Sequence, residues 1–238
     1  MGVDVVELLP RLVMLRFPVG QAYVWRDGAN AVTLVDAGPA GSGARIVEAV
    51  TALGVRPGAV RRVVLTHFHE DHAGGAAEVA ALTGAEVLAH RLDAPHVRGD
   101  APGPPPALED WEGPLHRRAL SLLPPGEYER PSTVTELSDG DVLDVGGGGH
   151  VLHVPGHTHG SIALHLPDAG VLFTGDTVAV SPVDGTLIPG VFNLDRRQLL
   201  ASCARLAALD TETACFGHGD PVLTGAGGRL RAMVRAGT

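Results

Sequence analysis

The segment Val63-Val64-Leu65-Thr66-His67-Phe68-His69-Glu70-Asp71-His72-Ala73-Gly74-Gly75 decides how the rest of the chain is read. Its apolar, β-branched opening predicts a short buried strand over residues 60–65, and a helix is expected over 73–82. Between them His67, His69, Asp71 and His72 place four metal-ligating side chains within six residues. In extended backbone His67 and His69 point to the same side. Asp71 and His72 then stand where the chain turns into the helix, which aims them at a neighbouring point. Such spacing suits two adjacent metals as well as one. Gly74-Gly75 lets other backbone pass close by, because no Cβ intervenes. A solvated, histidine-rich turn is the plain alternative, but three imidazoles and a carboxylate in this order follow metal-ligand habits.

Upstream, β-branched alternation predicts strands at 3–8, 12–16, 22–26 and 31–35, with turns at 18–20 and 27–28. The last strand runs into Val35-Asp36-Ala37-Gly38. A helix is expected over 43–53, stopped by Gly54, and a strand over 86–89. Residues 91–137 break the rhythm with Ala101-Pro102-Gly103-Pro104-Pro105-Pro106 and Pro124-Pro125. A helix is expected there at 114–123, with Leu115, Ala119 and Leu122 along its underside. The segment holds too few apolar residues for a core of its own, so it reads as an insertion or lid within one domain spanning 1–238. Strands follow at 142–145, 150–154, 161–166, 170–173 and 213–216, with helices at 195–209 and 228–235. In both halves strands come first and helices and strands then alternate. That order predicts an α/β protein with two sheets face to face and helices outside, a four-layer αββα sandwich.

Three more candidates lie at predicted strand ends beside glycine, where α/β sites are assembled. They are His157 in Pro155-Gly156-His157-Thr158, Asp176 in Thr174-Gly175-Asp176-Thr177 and His218 in Gly217-His218-Gly219. Each alone is a weak signal; with the first cluster they complete two sets of ligands. Of the remaining histidines, His153 and His165 read as strand packing residues. His90 reads as an outer partner of the site or a strand end, and His159 as pocket lining or a turn. His96, His116 and His150 read as surface residues.

Acidic residues outnumber basic ones 27 to 18, every basic one is arginine, and the net charge of -9 opposes a nucleic acid or an anionic membrane as partner. Aromatics at 4% give no stacking platform for bases. No apolar run reaches the ~18 residues of a membrane helix, and the N-terminal stretch lacks the basic and apolar regions of a signal peptide. The expected setting is the cytoplasm and the expected partner a small-molecule substrate. Cys203 and Cys215 are too few for a disulfide framework or a four-cysteine zinc site and read as buried thiols. Oligomeric state leaves no signal.

Through Asp36, the His67-x-His69-x-Asp71-His72 run, His157, Asp176 and His218, in that order, the chain resembles the metallo-β-lactamase superfamily along essentially its whole length. The resemblance implies the αββα sandwich. It also implies that His67, His69 and His157 hold one metal, that Asp71, His72 and His218 hold a second, and that Asp176 bridges them. Asp36 would stand behind the ligands and orient a histidine or the strand end. Two zinc ions per chain are implied, though iron or manganese also suits these donors. Two dications held by two carboxylates leave a positive pocket. A bridging water there ionises near neutral pH, giving hydroxide to attack a carbonyl, with Asp71 as ligand and proton acceptor.

Departures from the family's members narrow the choice. Asp176 stands near the cysteine of one lactamase subclass, and another subclass lacks the bridging aspartate. Flavodiiron proteins have an acid at the position of His69, and the nucleases carry an extra domain and basic surfaces. Hydroxyacylglutathione hydrolases share the ligand set. They typically add a Gly-Arg segment after the Gly-Asp motif and a basic helical extension. Here Asp176 is followed by Thr177-Val178-Ala179-Val180-Ser181-Pro182, and about twenty residues follow His218. Persulfide dioxygenases share the ligands around one iron. Quorum-quenching lactonases place a tyrosine soon after the Gly-Asp motif, where neither Tyr23 nor Tyr128 stands. The expectation is a dinuclear hydrolase of a small carbonyl ester, thioester or lactone, acting through a metal-bridging hydroxide. The alternative is a mononuclear iron persulfide dioxygenase; β-lactamase activity ranks below both, and metal binding without turnover last. Pocket walls are expected from 17–23, 91–137 and 181–193.

Overall fold

The computed structural model describes residues 2–28 and 31–237. The chain divides into two compact units: one holds the residues up to Gly103 with Arg117–Leu137, the other Pro104–His116 with the chain from Ser138 onward.

The first unit is built on a seven-stranded sheet in sequence order. β1 (Asp4–Leu9), β2 (Leu12–Arg16), β3 (Gln21–Gly28) and β4 (Ala31–Val35) form an antiparallel meander. β5 (Val60–Val64), β6 (Glu86–His90) and β7 (Thr135–Leu137) then continue in parallel. A parallel step needs a crossover, which helices supply. α1 (Gly43–Ala52) joins β4 to β5; α2 (Glu70–Ala73) and α3 (Ala76–Thr83) join β5 to β6; α4 (Ala94–Arg98) follows β6. α5 (Glu112–Leu120) begins in the second unit and ends in the first. Alternate strand residues Val13, Leu15, Val24, Val32, Leu34 and Val63 meet Ile46, Ala49 and Val50 of α1 and Val79 of α3 in one apolar core. The i, i+3, i+4 spacing on α1 is what turns that face inward. Emptying a fully buried position such as Ile46 to alanine costs about 2–5 kcal/mol. The β4–β5 register pairs Val35 with Val64, and the Asp36 N–H continues it to the Val64 carbonyl at 2.9 Å. Asp36 and Thr66 therefore leave the sheet side by side, at the carboxyl ends of neighbouring strands.

The second unit has a five-stranded sheet, ordered β14-β11-β10-β9-β8, and a separate hairpin. Its strands are β8 (Val142–Leu143), β9 (Gly149–His153), β10 (Ile162–Leu166), β11 (Val171–Phe173) and β14 (Thr213–Cys215); β12 (Val178–Val180) and β13 (Leu187–Pro189) make the hairpin. Only β11 and β14 pair in parallel. α6 (Arg196–Ala207) and α7 (Ala226–Ala236) bring Leu199, Cys203, Leu206, Leu230 and Met233 onto Val154, Ala163, Leu172, Ala214 and Phe216. Asp195 caps α6 by accepting the Gln198 N–H at 2.9 Å. Cys203 and Cys215 are both buried free thiols, as expected. Burial pushes the Cys203 thiol up to about 12 and raises that of Cys215 further.

The expected elements are present, with shifted ends. The helix expected over 73–82 starts later, as α3 from Ala76, and Gly74-Gly75 separate it from the short α2, which was not expected. The helix expected over 114–123 runs from Glu112 to Leu120. Leu115 and Leu122 are 49% and 41% exposed, so no apolar underside forms there. The proline-rich region also supplies α4 and the edge strand β7, neither of which was expected. No helix among the described residues is long and apolar enough to cross a membrane.

Candidate metal centre

In the first unit the candidate ligands are organised around Asp36. Its backbone is left-handed, with φ +62°, a conformation that aspartate tolerates better than most L-residues. The buried carboxylate accepts the Thr66 N–H at 2.7 Å and the Thr66 hydroxyl at 2.9–3.0 Å. Its Oδ2 lies 2.8 Å from Nδ1 of His72. A carboxylate only accepts, so Nδ1 of His72 carries the proton and the ring's lone pair is on Nε2. The Thr66 hydroxyl directs its own proton to Asp36. At 3.1 Å from Nδ1 of His67 it therefore accepts, and His67 takes the same tautomer. One carboxylate thus sets both imidazoles. The His67 ring stands 4.1 Å from the His72 ring and 4.8 Å, edge to face, from that of His69. Nε2 of His72 is 3.7 Å from Oδ2 of Asp71.

Main-chain bonds hold this loop. The His72 and Ala73 N–H groups reach the His69 carbonyl at 3.0 and 2.8 Å, and the Ala37 N–H reaches the His72 carbonyl at 2.7 Å. The Phe68 N–H, between the first two histidines, donates to Oδ2 of buried Asp93 at 3.1 Å. Gly20, with φ +73°, lies against the Asp71 carbonyl, where any Cβ would overlap it. The β2–β3 turn is thereby fixed to the ligand loop. Burial, and then the neighbouring Asp71 carboxylate, raise the Glu70 carboxyl above its ordinary range, while Arg130 pulls it down. The Arg130 guanidinium covers the Tyr128 ring at 4.4 Å, and burial raises the Tyr128 phenol.

In the second unit three candidates come from three loops. His157 is buried in the turn after β9, and its Nδ1 donates to the Val191 carbonyl at 3.0 Å, again leaving the lone pair on Nε2. Asp176 sits in a single 3-10 turn, Gly175–Thr177. Its Oδ2 is 3.6 Å from Nε2 of His157 and 3.2 Å from Nε2 of His218, one oxygen between two imidazoles. The turn is braced at Thr177, whose carbonyl accepts from Cys203 Sγ at 3.3 Å and from the Gly190 N–H at 3.1 Å. Gly190 lies so close to the Asp176 carbonyl that a Cβ would overlap it. The Gly217 N–H, beside His218, bonds the Gly175 carbonyl at 3.1 Å. Loop 190–194 is itself shaped by Phe192, whose φ of +58° costs a non-glycine residue on the order of 1–3 kcal/mol. Buried Glu112 accepts the Phe192 N–H at 3.0 Å, and the Ala107 N–H reaches the Asn193 carbonyl at 2.9 Å.

Within the first unit His67, His69, Asp71 and His72 come together with Asp36, and within the second His157, Asp176 and His218 come together. Imidazole lone pairs and carboxylate oxygens suit zinc, iron or manganese. Four contributors were not foreseen: Thr66, Asp93, Glu112 and the Val191 carbonyl. Thr66 adjoins the first histidine and was open to notice; the others act through main-chain groups that leave no mark in the sequence. Two surface assignments fail, because His96 is half-buried 4.9 Å from the Phe68 ring and His116 is half-buried 5.0 Å from that of Phe192. His165 is buried, with Nε2 3.3 Å from the Asp210 carbonyl, as a packing residue should be.

A sequence model of the metallo-beta-lactamase superfamily matches residues 16–218. A hydroxyacylglutathione hydrolase of Fuscovulum blasticum is 32% identical, over 91% of this chain and 74% of its own. One of Cereibacter sphaeroides is 33% identical over 80% of this chain, and the match spans only 58% of that relative. The probable metallo-hydrolase YflN of Bacillus subtilis is 30% identical over 81% of this chain and 77% of its own. Among solved structures, a metallo-beta-lactamase family protein from Thermus thermophilus matches with a TM-score of 0.68 at 27% identity, covering 97% of this chain and 79% of that one. A metallo-beta-lactamase from Cronobacter sakazakii matches with a TM-score of 0.73 at 21% identity, covering 99% and 93%.

Proposed function

The chain belongs to the metallo-β-lactamase superfamily and has its α/β sandwich fold, and from that premise we propose that it is a metal-dependent hydrolase of a small carbonyl ester, a thioester or a lactone. The two half-sets would make one dinuclear centre. His67, His69 and His157 would hold one metal, Asp71, His72 and His218 the other, with Asp176 shared. The observation that carries this reading is the common tautomer of His67, His72 and His157, each engaged at Nδ1 and presenting Nε2. A metal-ligating histidine is held in that way, by an outer partner on its second nitrogen. The position of Asp176 Oδ2 between His157 and His218 supports its role as the shared ligand.

When bound, a pair of divalent ions supplies a water that ionises near neutral pH and polarises a substrate carbonyl. The protein's own part is to orient and to move a proton. Asp71 would accept the proton of the attacking nucleophile. Asp36 and Thr66 would keep His67 and His72 in their ligating form through the cycle. Relatives named hydroxyacylglutathione hydrolases favour a thioester among the candidate esters.

The test is a panel of thioesters, lactones and cephalosporins, assayed on protein stripped with a chelator and reloaded with zinc, manganese or iron, in air and without oxygen. The expected result is cleavage of a thioester or lactone that vanishes on stripping, returns with about two equivalents of metal and ignores oxygen. Oxygen uptake on a persulfide by protein holding one iron, with no ester cleaved, would overturn it.

A further inference from the structure

Glu112 belongs to the proline-rich stretch, where sequence offers no reason to single it out, yet the residue is 1% exposed. One oxygen accepts the Glu109 N–H at 2.9 Å, which fixes the carboxylate at the start of its own helix. The other accepts the Phe192 N–H at 3.0 Å. That N–H and the Val191 carbonyl are the two ends of one peptide group, and a peptide group is planar and turns as a unit. The carbonyl end accepts Nδ1–H of His157 at 3.0 Å. Glu112, one rigid peptide and His157 thus form a continuous line: carboxylate, N–H, C=O, imidazole.

We propose that Glu112 is a positioning residue for His157, acting through the 191–192 peptide to fix the ring's tautomer and direction; the proposal rests on reading His157 as a metal ligand. Two observations say the peptide needs holding. Phe192 follows it in a left-handed conformation, with φ +58°, that L side chains rarely adopt. The same loop is tied at a second point by the Ala107 N–H on the Asn193 carbonyl, and within itself by Asn193 Nδ2 on the Gly190 carbonyl at 2.7 Å. Residues 107–112 therefore clamp the loop from one side. A carboxylate at one end of a hydrogen-bonded line also polarises the peptide, which strengthens the carbonyl as acceptor for His157. Without Glu112 the N–H end of the peptide loses its partner, and the carbonyl is held less firmly against Nδ1.

The experiment compares wild type, Glu112→Ala and Glu112→Gln by two measurements. The first is 15N spectra of labelled histidine in metal-free protein, well above the ordinary histidine pKa. Wild type should show His157 as the Nδ1–H tautomer, assigned by its loss in His157→Ala. Glu112→Ala should show mixed tautomers, and Glu112→Gln, whose amide oxygen accepts one N–H instead of two, should lie between. The second is zinc affinity by chelator competition. One of two equivalents should weaken about 10–100-fold in Glu112→Ala, the range for loss of an outer partner, and partly recover in Glu112→Gln. The second equivalent should hold, and Glu112→Ala should add nothing in the His157→Ala background. A folded Glu112 variant with the wild-type tautomer and unchanged zinc affinity would overturn the proposal. If Glu112→Ala does not fold, Glu112→Gln is read alone, and wild-type behaviour there overturns it equally. Wild type that binds no zinc would instead sink the ligand reading, while the tautomer measurement would still decide on Glu112.

Discussion

In the first unit one short segment, residues 67–72, carries four candidate ligands, and a single side chain behind it, Asp36, steers two of them. In the second unit three candidates arrive on three loops, and the imidazole of His157 leans on a main-chain carbonyl that another residue holds in place. Both schemes end with a proton on Nδ1 and a lone pair on Nε2. Both also keep a non-glycine residue in the left-handed region beside the site, Asp36 in one and Phe192 in the other, the two such residues among those described. The difference lies in where rigidity comes from. Adjacent strands with a fixed register deliver Asp36 and Thr66 together, so one carboxylate serves two rings. Loops of separate origin lack that register and need clamps: Gly190 against Asp176, Cys203 on Thr177, Glu112 on Phe192.

If Asp36 is the common hub, Asp36→Asn has the largest effect. The amide would turn a donor toward Thr66 or His72, and both zinc equivalents should weaken by about 10–100-fold. Chelator competition counts the affected equivalents; weakening of only one would break the comparison, since Thr66 would then not be relaying to His67. Thr66→Val sharpens it. Valine keeps the shape and removes the hydroxyl between Asp36 and His67 while the direct bond to His72 stays. One equivalent should fall by roughly 10-fold, at the low end for an outer partner, and the other should be retained. The smallest effect concerns His165, which lies on β10 and outside both candidate sets. Burial holds its imidazole below the ordinary pKa, more than the Asp210 carbonyl raises it. As pH falls through about 6.5 the unfolded chain takes up a proton that the folded chain refuses, so stability declines on the acid side. His165→Gln keeps a donor for Asp210 and removes the titration. Its melting temperature should therefore fall less than that of wild type between neutral and mildly acidic pH, measured without metal.

How much of this was legible follows the same division. The ligand run of the first unit could be read directly, because a strand, a loop and a helix start succeed one another without interruption. Loop residues His157, Asp176 and His218 were found only by their place at strand ends beside glycine and by the resemblance. The β12–β13 hairpin was missed because Pro182, Gly185 and Pro189 read as loop, and its inward face is short. α4 was missed because Pro95 reads as a breaker, though at the first positions of a helix it is tolerated. β7 shows one buried side chain, Leu137, in three residues, too little for a period. Glu112 and Asp93 work on backbone N–H groups of residues far away in sequence, and no residue pattern encodes that.

The depth of the two thiols has a practical side. With both groups buried and Cys203 pushed up to about 12, almost no thiolate exists at neutral pH, and thiolate is the reactive form. The native chain is in effect a blank for maleimide chemistry. A cysteine placed at Val183, which is 91% exposed between β12 and β13, should take a fluorophore at one position without first removing either native sulfur. That hairpin follows the Gly175–Thr177 turn directly, so the dye would report on the strands next to Asp176 while every native side chain but one stays in place.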